Sequence, residues 1–169
     1  MKEKRSSSTE PFYDTFESPF GTLYLVFSGN LLKGIDFRKP EILRKGHGPV
    51  ILKKELREYF ENGREEFTQK IDLPEGTEFE KRVWLSLKEI PYGETRTYKW
   101  LAEKTGKPKA SRAVGQALSK NPVPIVLPCH RIIESDGSLG GYSGGVHIKR
   151  RLLDMEYYMK QGKKGNIDE

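Results

Sequence analysis

Between residues 121 and 131 the chain reads Asn-Pro-Val-Pro-Ile-Val-Leu-Pro-Cys-His-Arg, and this stretch restricts the fold more tightly than any other. Asn121-Pro122 ends a helix arriving from upstream, because a proline disfavours the α conformation of the residue before it. An apolar run then leads to Cys129, the only cysteine, which lies between Pro128 and His130. A Gly-Ser-rich loop from Gly137 to Gly145 leads away. This arrangement predicts a thiol at the mouth of a pocket. A thiol is a strong nucleophile only as the thiolate, which needs a cationic or hydrogen-bonding neighbour. His130 and Arg131 are the adjacent candidates. A lone cysteine is otherwise a small buried hydrophobe; Pro128, His130 and Arg131 favour the nucleophile here.

Geometry limits that reading. On a flat strand Cys129 and His130 would point to opposite faces. They share a pocket only if a turn or a short 3₁₀ segment bends the chain, or if a water bridges them. The imidazole also needs a group to orient its far nitrogen. Glu134, Asp136, Asp154 and Glu156 are the nearby carboxylates, and spacing does not choose among them.

The 169 residues suffice for one ordinary domain or two small ones, and 35% apolar content marks a modest core. The charged start, Met1-Lys2-Glu3-Lys4-Arg5, is followed by no apolar run, so neither a signal peptide nor a membrane span is expected, and the expected location is cytoplasmic. One cysteine excludes an internal disulfide framework and a Cys-rich zinc site, and His47, His130 and His147 show no metal-ligand spacing. No metal or cofactor is expected. The net charge of +6 is unevenly placed: residues 1–76 hold 13 basic and 13 acidic side chains, residues 77–169 hold 17 and 11. The whole excess lies with the cysteine, which favours a polyanionic partner over a merely solvated surface.

Strands are predicted over 12–16, 23–27 and 31–37, the first two joined by a hairpin at Ser18-Pro19-Phe20-Gly21. Ile51, Leu52, Leu56, Tyr59 and Phe60 recur at helical spacing up to Gly63, and 67–73 reads as a further short strand. In the second half Thr77, with Glu80 three residues on, starts a capped helix that carries Phe79, Val83, Trp84 and Leu87 inward. A short helix to Gly106 and another over 110–120 read as helix-turn-helix. Ala110, Ala113, Gly115 and Ala117 let the second helix approach a surface closely, either a neighbouring element or a narrow groove. A last amphipathic helix spans 146–159, with Met155 and Met159 as core filler.

The segment 121–131, with Gly140-Gly141-Tyr142-Ser143-Gly144-Gly145, closely resembles the 6-O-alkylguanine-DNA alkyltransferases. The likeness extends through Gly76-Thr77-Glu78-Phe79, Ile90-Pro91-Tyr92-Gly93-Glu94, Thr97-Tyr98 and Ser111-Arg112-Ala113-Val114-Gly115, covering about residues 76–160 in order. It implies irreversible transfer of an alkyl group from a flipped guanine in duplex DNA to Cys129. His130 matches the histidine that deprotonates the thiol through a water, and Glu156 the glutamate that orients it. Tyr98 matches the tyrosine that helps neutralise the leaving guanine, and Asn121 the hinge before the active-site strand. Ser143 matches the group at the 6-oxygen, while Tyr142 and Ile132 match pocket-lining positions. Arg112 matches the arginine that replaces the extruded nucleotide. Ser111, Ala113, Gly115 and Thr97 complete the expected DNA-binding set. Methylated 6-O-guanine is the expected lesion, with larger adducts and 4-O-alkylthymine as extensions.

The chemistry of these residues agrees: displacing an alkyl group from an ether-like oxygen needs a soft thiolate and a stabilised leaving group. Backbone carbonyls at Cys129 and Ile132 are expected to accept the guanine amine, and a base inside a duplex is out of reach unless it leaves the stack. Competing readings are a DNA-binding or damage-sensing module with an inert thiol, and a cysteine hydrolase using Cys129 and His130. The expected fold is α+β in two small domains. The first, 11–73, is an antiparallel sheet with one or two helices. A linker at 74–76 precedes a mainly helical, winged-helix-like domain with helix-turn-helix over 77–160. Tails are expected at 1–10 and 161–169. The expected partner is double-stranded DNA containing alkylated guanine, with no membrane and a monomeric protein.

Overall fold

A computed structural model describes residues 10–165, with side chains to residue 163. The tail expected over 1–10 lies outside the described residues except for Glu10, as do residues 166–169. Strands β1 (Phe12–Ser18), β2 (Gly21–Ser28) and β3 (Leu31–Asp36) form an antiparallel meander. The β1–β2 hairpin closes with Ser18 opposite Gly21, as the Ser-Pro-Phe-Gly turn predicts. Leu23, Leu25 and Phe27 alternate inward along β2, the period-two pattern of a sheet with one covered face. A two-residue strand, β4 (Arg44–Lys45), pairs parallel with β1 and gives the order β3-β2-β1-β4.

Helix α1 (Val50–Asn62) covers that face with Leu52, Leu56, Tyr59 and Phe60. It stops at Gly63, whose φ of +68° is a left-handed conformation that favours glycine. Two buried carboxylates bind loops to this layer. Asp14 takes the Gly48 N–H at 3.0 Å and Lys53 Nζ at 2.9 Å. Glu55 takes the N–H groups of Thr68 and Gln69 at 2.7 and 2.9 Å and Arg64 at 2.8 Å. The strand predicted over 67–73 is not formed. Residues 64–70 are held by Glu55 instead, and pairing shrinks to one bridge between Leu32 and Ile71.

Helix α2 (Glu78–Ser86) starts on a full capping box: the Thr77 hydroxyl accepts from Glu80 N and Glu80 accepts from Thr77 N. It passes through a 3₁₀ turn (Leu87–Glu89) to the Pro91-Tyr92-Gly93 corner. A two-residue strand β5 (Arg96–Thr97) precedes α3 (Tyr98–Lys104) and α4 (Ser111–Ser119), the helix-turn-helix pair. Trp84 Nε1 donates to Ala117 O at 2.8 Å and ties α4 to α2. A 3₁₀ turn (Cys129–Arg131) leads to β6 (Ile132–Ile133), which pairs parallel with β5. Helix α5 (Val146–Gly165) runs six residues beyond the predicted end at Met159 and takes in the first half of the expected tail at 161–169. One hydrophobic core runs from Leu23 of β2 through Tyr59 of α1 and Trp84 of α2 to Leu152 of α5. No helix among the described residues is long and apolar enough to cross a membrane.

Candidate active site

Asn121 opens the segment that carries the thiol. Its side chain donates to Leu127 O at 2.8 Å and accepts from Val123 N at 3.1 Å, clamping both ends of the Pro122–Leu127 loop. Inside that loop Ile125 sits at a φ of +76° while 2% exposed, a strained conformation for a β-branched residue. The loop delivers Cys129 into a 3₁₀ turn, the bend that the sequence allows beside a bridging water, but His130 does not join Cys129 in lining the cavity. Cys129 is 6% exposed and lines a cavity of about 600 Å³. Tyr98, Tyr142, Ser143 and Glu134 share that wall, while Ser111, Arg112, Gly115, Leu118 and Ser119 of α4 form the other side.

Behind the thiol lies a fully buried ionic cluster. His130 Nε2 meets Glu156 Oε2 at 2.6 Å, and neither residue is exposed. Among the four carboxylates left open by spacing, Glu156 alone faces the imidazole; Glu134, Asp136 and Asp154 are exposed. Arg131 Nε and Nη2 reach Glu156 at 2.7 and 3.1 Å, and its Nη1 donates to Ile90 O at 2.8 Å. Arg131 is therefore not the thiol's activating neighbour: its charge is turned to Glu156. Burial raises the Glu156 pKa, but His130 and Arg131 outweigh it and hold the carboxyl well below its usual range. Burial pushes His130 down, aided by Arg131 and Lys149 and opposed by Glu156, which keeps the imidazole neutral. Its Nδ1 is buried without a hydrogen-bond partner among the described residues, so it is the nitrogen free to receive a proton.

Burial raises the thiol itself to about 11, against the Asn121 side chain and the Lys149 cation, which lower it. The thiolate expected from the neighbouring basic residues is thus not the resting form. Desolvation exceeds the help available, because the two adjacent side chains in sequence face the other way.

Lys149 was not singled out from the sequence. It is 1% exposed, and its Nζ donates to Ile132 O at 2.6 Å, to Gly141 O at 3.3 Å and to Leu139 O. It thereby ties the 139–141 loop to the β6 edge. Burial lowers its pKa, opposed by Cys129 and Glu134. Its position was legible: Lys149, Leu152 and Glu156 fall on one helical stripe, and a lysine on an otherwise inward stripe needs an acceptor. Gly140 (φ +71°) has the Tyr98 hydroxyl 2.6 Å from where a Cβ would stand, so the loop closes on Tyr98 only with glycine there. Phe37, from the end of β3, packs edge-on to Tyr142 at 5.8 Å. The Tyr142 hydroxyl is buried without a partner among the described residues.

Three expected residues stand elsewhere. Ile132 is fully buried and does not line the cavity, and its carbonyl accepts from Lys149 Nζ at 2.6 Å. Thr97 caps α3 by accepting from Trp100 N at 3.0 Å. Ala113 is half-buried on α4 and does not line the cavity. Gly115 has open space at its Cβ position, and Arg112 is exposed at the cavity edge.

Residues 78–158 match the family model for the 6-O-methylguanine DNA methyltransferase, DNA binding domain. A methylated-DNA–protein-cysteine methyltransferase from Methanosarcina barkeri is 46% identical over 153 residues, covering 86% of this chain and 96% of that protein. The Haemophilus influenzae protein of that name is 41% identical, covering 88% and 87%. The crystal structure of Mycobacterium tuberculosis OGT in complex with DNA superposes with a TM-score of 0.83 at 39% identity, over 88% of this chain and 94% of that one. The 6-O-methylguanine-DNA methyltransferase of Pyrococcus kodakaraensis gives 0.64 at 26% identity, over 87% and 99%. With identities of this size over nearly the full length of its relatives, and a buried cysteine–histidine–glutamate cluster beside an open cavity, this chain belongs to the methylated-DNA–protein-cysteine methyltransferase family.

Proposed function

We propose that this protein repairs duplex DNA by moving the alkyl group of 6-O-methylguanine onto Cys129. The observation that carries this reading is the position of Cys129: its thiol lines a base-sized cavity, while the adjacent His130 is fixed by Glu156 at 2.6 Å. The α4 edge of that cavity, with exposed Arg112 and small Gly115, suits close approach to a DNA groove. Arg112 fills the gap left in the stack when the lesion turns out into the cavity. The excess of basic residues in the second half supplies phosphate contacts.

In the reaction Cys129 Sγ attacks the methyl carbon, an S–C bond forms and the C–O6 bond breaks. The bonding pair goes to the purine. The thiol proton passes through one water to His130 Nδ1, with Glu156 holding the resulting imidazolium. Tyr98, on the cavity wall, donates a hydrogen bond to the purine as charge builds there, and the proton finally resides on the released guanine. The raised thiol pKa fits this order of events: the sulfur stays protonated until a lesion occupies the cavity. A thioether cannot be hydrolysed by the same groups, so each molecule acts once. Larger 6-O-alkyl groups and 4-O-alkylthymine fall within the same chemistry. The protein works as a monomer and needs no cofactor.

The test is intact mass after incubation with duplex DNA containing 6-O-methylguanine. A gain of one methyl mapped to Cys129 is expected, and Cys129→Ala should bind that DNA but gain nothing. An unchanged wild-type mass would leave a damage-sensing module, and continued turnover would point to a hydrolase.

A further inference from the structure

Among the described residues, the half of the chain before the capping box supplies no lining residue to the cavity that holds Cys129, yet it reaches the ionic cluster behind it. Tyr59 of α1 is fully buried, and its hydroxyl donates to Glu156 Oε2 at 2.5 Å. This is the oxygen that meets His130 Nε2 at 2.6 Å and Arg131 Nη2 at 3.1 Å. The other oxygen, Oε1, takes Arg131 Nε at 2.7 Å and Gly93 N at 3.1 Å.

We infer that Tyr59 is a positioning residue for the transfer reaction. Its hydroxyl fixes the rotamer that turns Glu156 Oε2 to His130, and it shares the charge of that oxygen, so the N-terminal half sets the basicity of the imidazole. The inference rests on reading His130 as the proton acceptor. Packing alone does not explain the hydroxyl. The ring contacts of Tyr59 with Phe60 at 5.0 Å, Phe67 at 5.8 Å and Tyr92 at 5.9 Å are available equally to phenylalanine. What tyrosine adds is one donor aimed at a carboxylate, and donors to an ionised group are among the stronger hydrogen bonds. The phenol stays protonated throughout, since burial and then Glu156 hold its pKa well above the ordinary value.

The other charged groups around the pair are few. Arg131 and Lys149 bear on His130 together with Glu156. Arg131, Tyr92 and Tyr142 face Glu156. Against this fixed background, removing the hydroxyl returns negative charge to Oε2, strengthens its hold on the imidazolium and makes His130 harder to deprotonate.

The experiment is the single-turnover rate of methyl transfer from duplex DNA, measured over about pH 5 to 9, the range in which an imidazole titrates. For Tyr59→Phe the acid limb should move up by about half to one pH unit, with the high-pH plateau within about threefold of wild type. Site-specific 3-fluorotyrosine at position 59, a stronger donor of nearly the same shape, should move the limb down. An unmoved limb in both proteins, or a uniform fall in rate without displacement, overturns the inference and leaves Tyr59 as packing. His130→Gln in the same assay separates the two levels. If it loses the rate while the Tyr59 variants keep the wild-type limb, only the present inference fails. If it keeps the wild-type rate and limb, the proton-acceptor reading fails and this inference with it.

Discussion

Arg131 Nε lies 2.7 Å from Glu156 Oε1, so the cation two residues from the nucleophilic cysteine points away from the sulfur. The 3₁₀ turn divides its three side chains: Cys129 faces the cavity, while His130 and Arg131 face the carboxylate behind. In the proposed reaction, nucleophile and proton acceptor thus come from adjacent residues without competing for space.

The free protein should react slowly with small thiol reagents. Alkylation by iodoacetamide at neutral pH should be well below that of an exposed cysteine and rise toward a midpoint of about 11. The sign for stability follows from the same displacement. A thiol raised from 9.0 to about 11 in the folded state contributes stability that is complete below pH 9.0 and lost as pH rises toward 11. Thermal melts of wild type and Cys129→Ala between those pH values should therefore converge.

Glu156 sets the opposite limit. Its folded pKa lies below 4.5, so its contribution is complete above pH 4.5 and lost as the pH falls further. Glu156→Gln leaves Arg131 buried without its carboxylate and should destabilise the protein by about 3 kcal/mol at neutral pH. Urea unfolding as a function of pH measures both effects, and the mutant should lose much of the acid sensitivity of wild type.

Lys149→Met should act on both fold and chemistry. Carbonyls of Ile132, Leu139 and Gly141 lose their donor, at about 1–3 kcal/mol, chiefly for the buried Ile132 acceptor left unpaired. Loss of a cation that lowers the thiol pKa should also move the iodoacetamide midpoint above that of wild type. Denaturation and thiol titration of the same preparation test the two effects separately.

Arg112→Ala should leave the fold alone, because Arg112 is exposed and its removal opens no core; a change within about 0.5 kcal/mol is expected. On the role proposed for Arg112, methyl transfer from duplex DNA should fall by at least about tenfold, because the gap left by the extruded base is then unfilled. Transfer from the free alkylated base should be nearly unchanged. Equal loss on both substrates would instead place Arg112 in the chemistry.

Local patterns in the sequence determined the hairpin at Ser18–Gly21, α1 and its stop at Gly63, the capping box at Thr77, and the helix-turn-helix pair around Gly106. These features depend on neighbours a few residues apart, where turn chemistry and helical period act directly. The strand expected over 67–73 failed because Glu55, thirteen residues upstream, takes its N–H groups at Thr68 and its immediate neighbour Gln69. The motif around Cys129 was equally plain in the sequence, including the need for a bend between thiol and imidazole. What remained hidden was which way each charged side chain turns. Arg131 reads as the thiol's partner and serves Glu156; Tyr59 reads as core and donates to the same carboxylate; Lys149, given no role from the sequence, is buried with its Nζ on the Ile132 carbonyl. Such pairings join residues far apart in the chain, and only close packing of α1, α5 and the cysteine turn decides them, since a charge removed from water must take whatever partner the fold brings within reach.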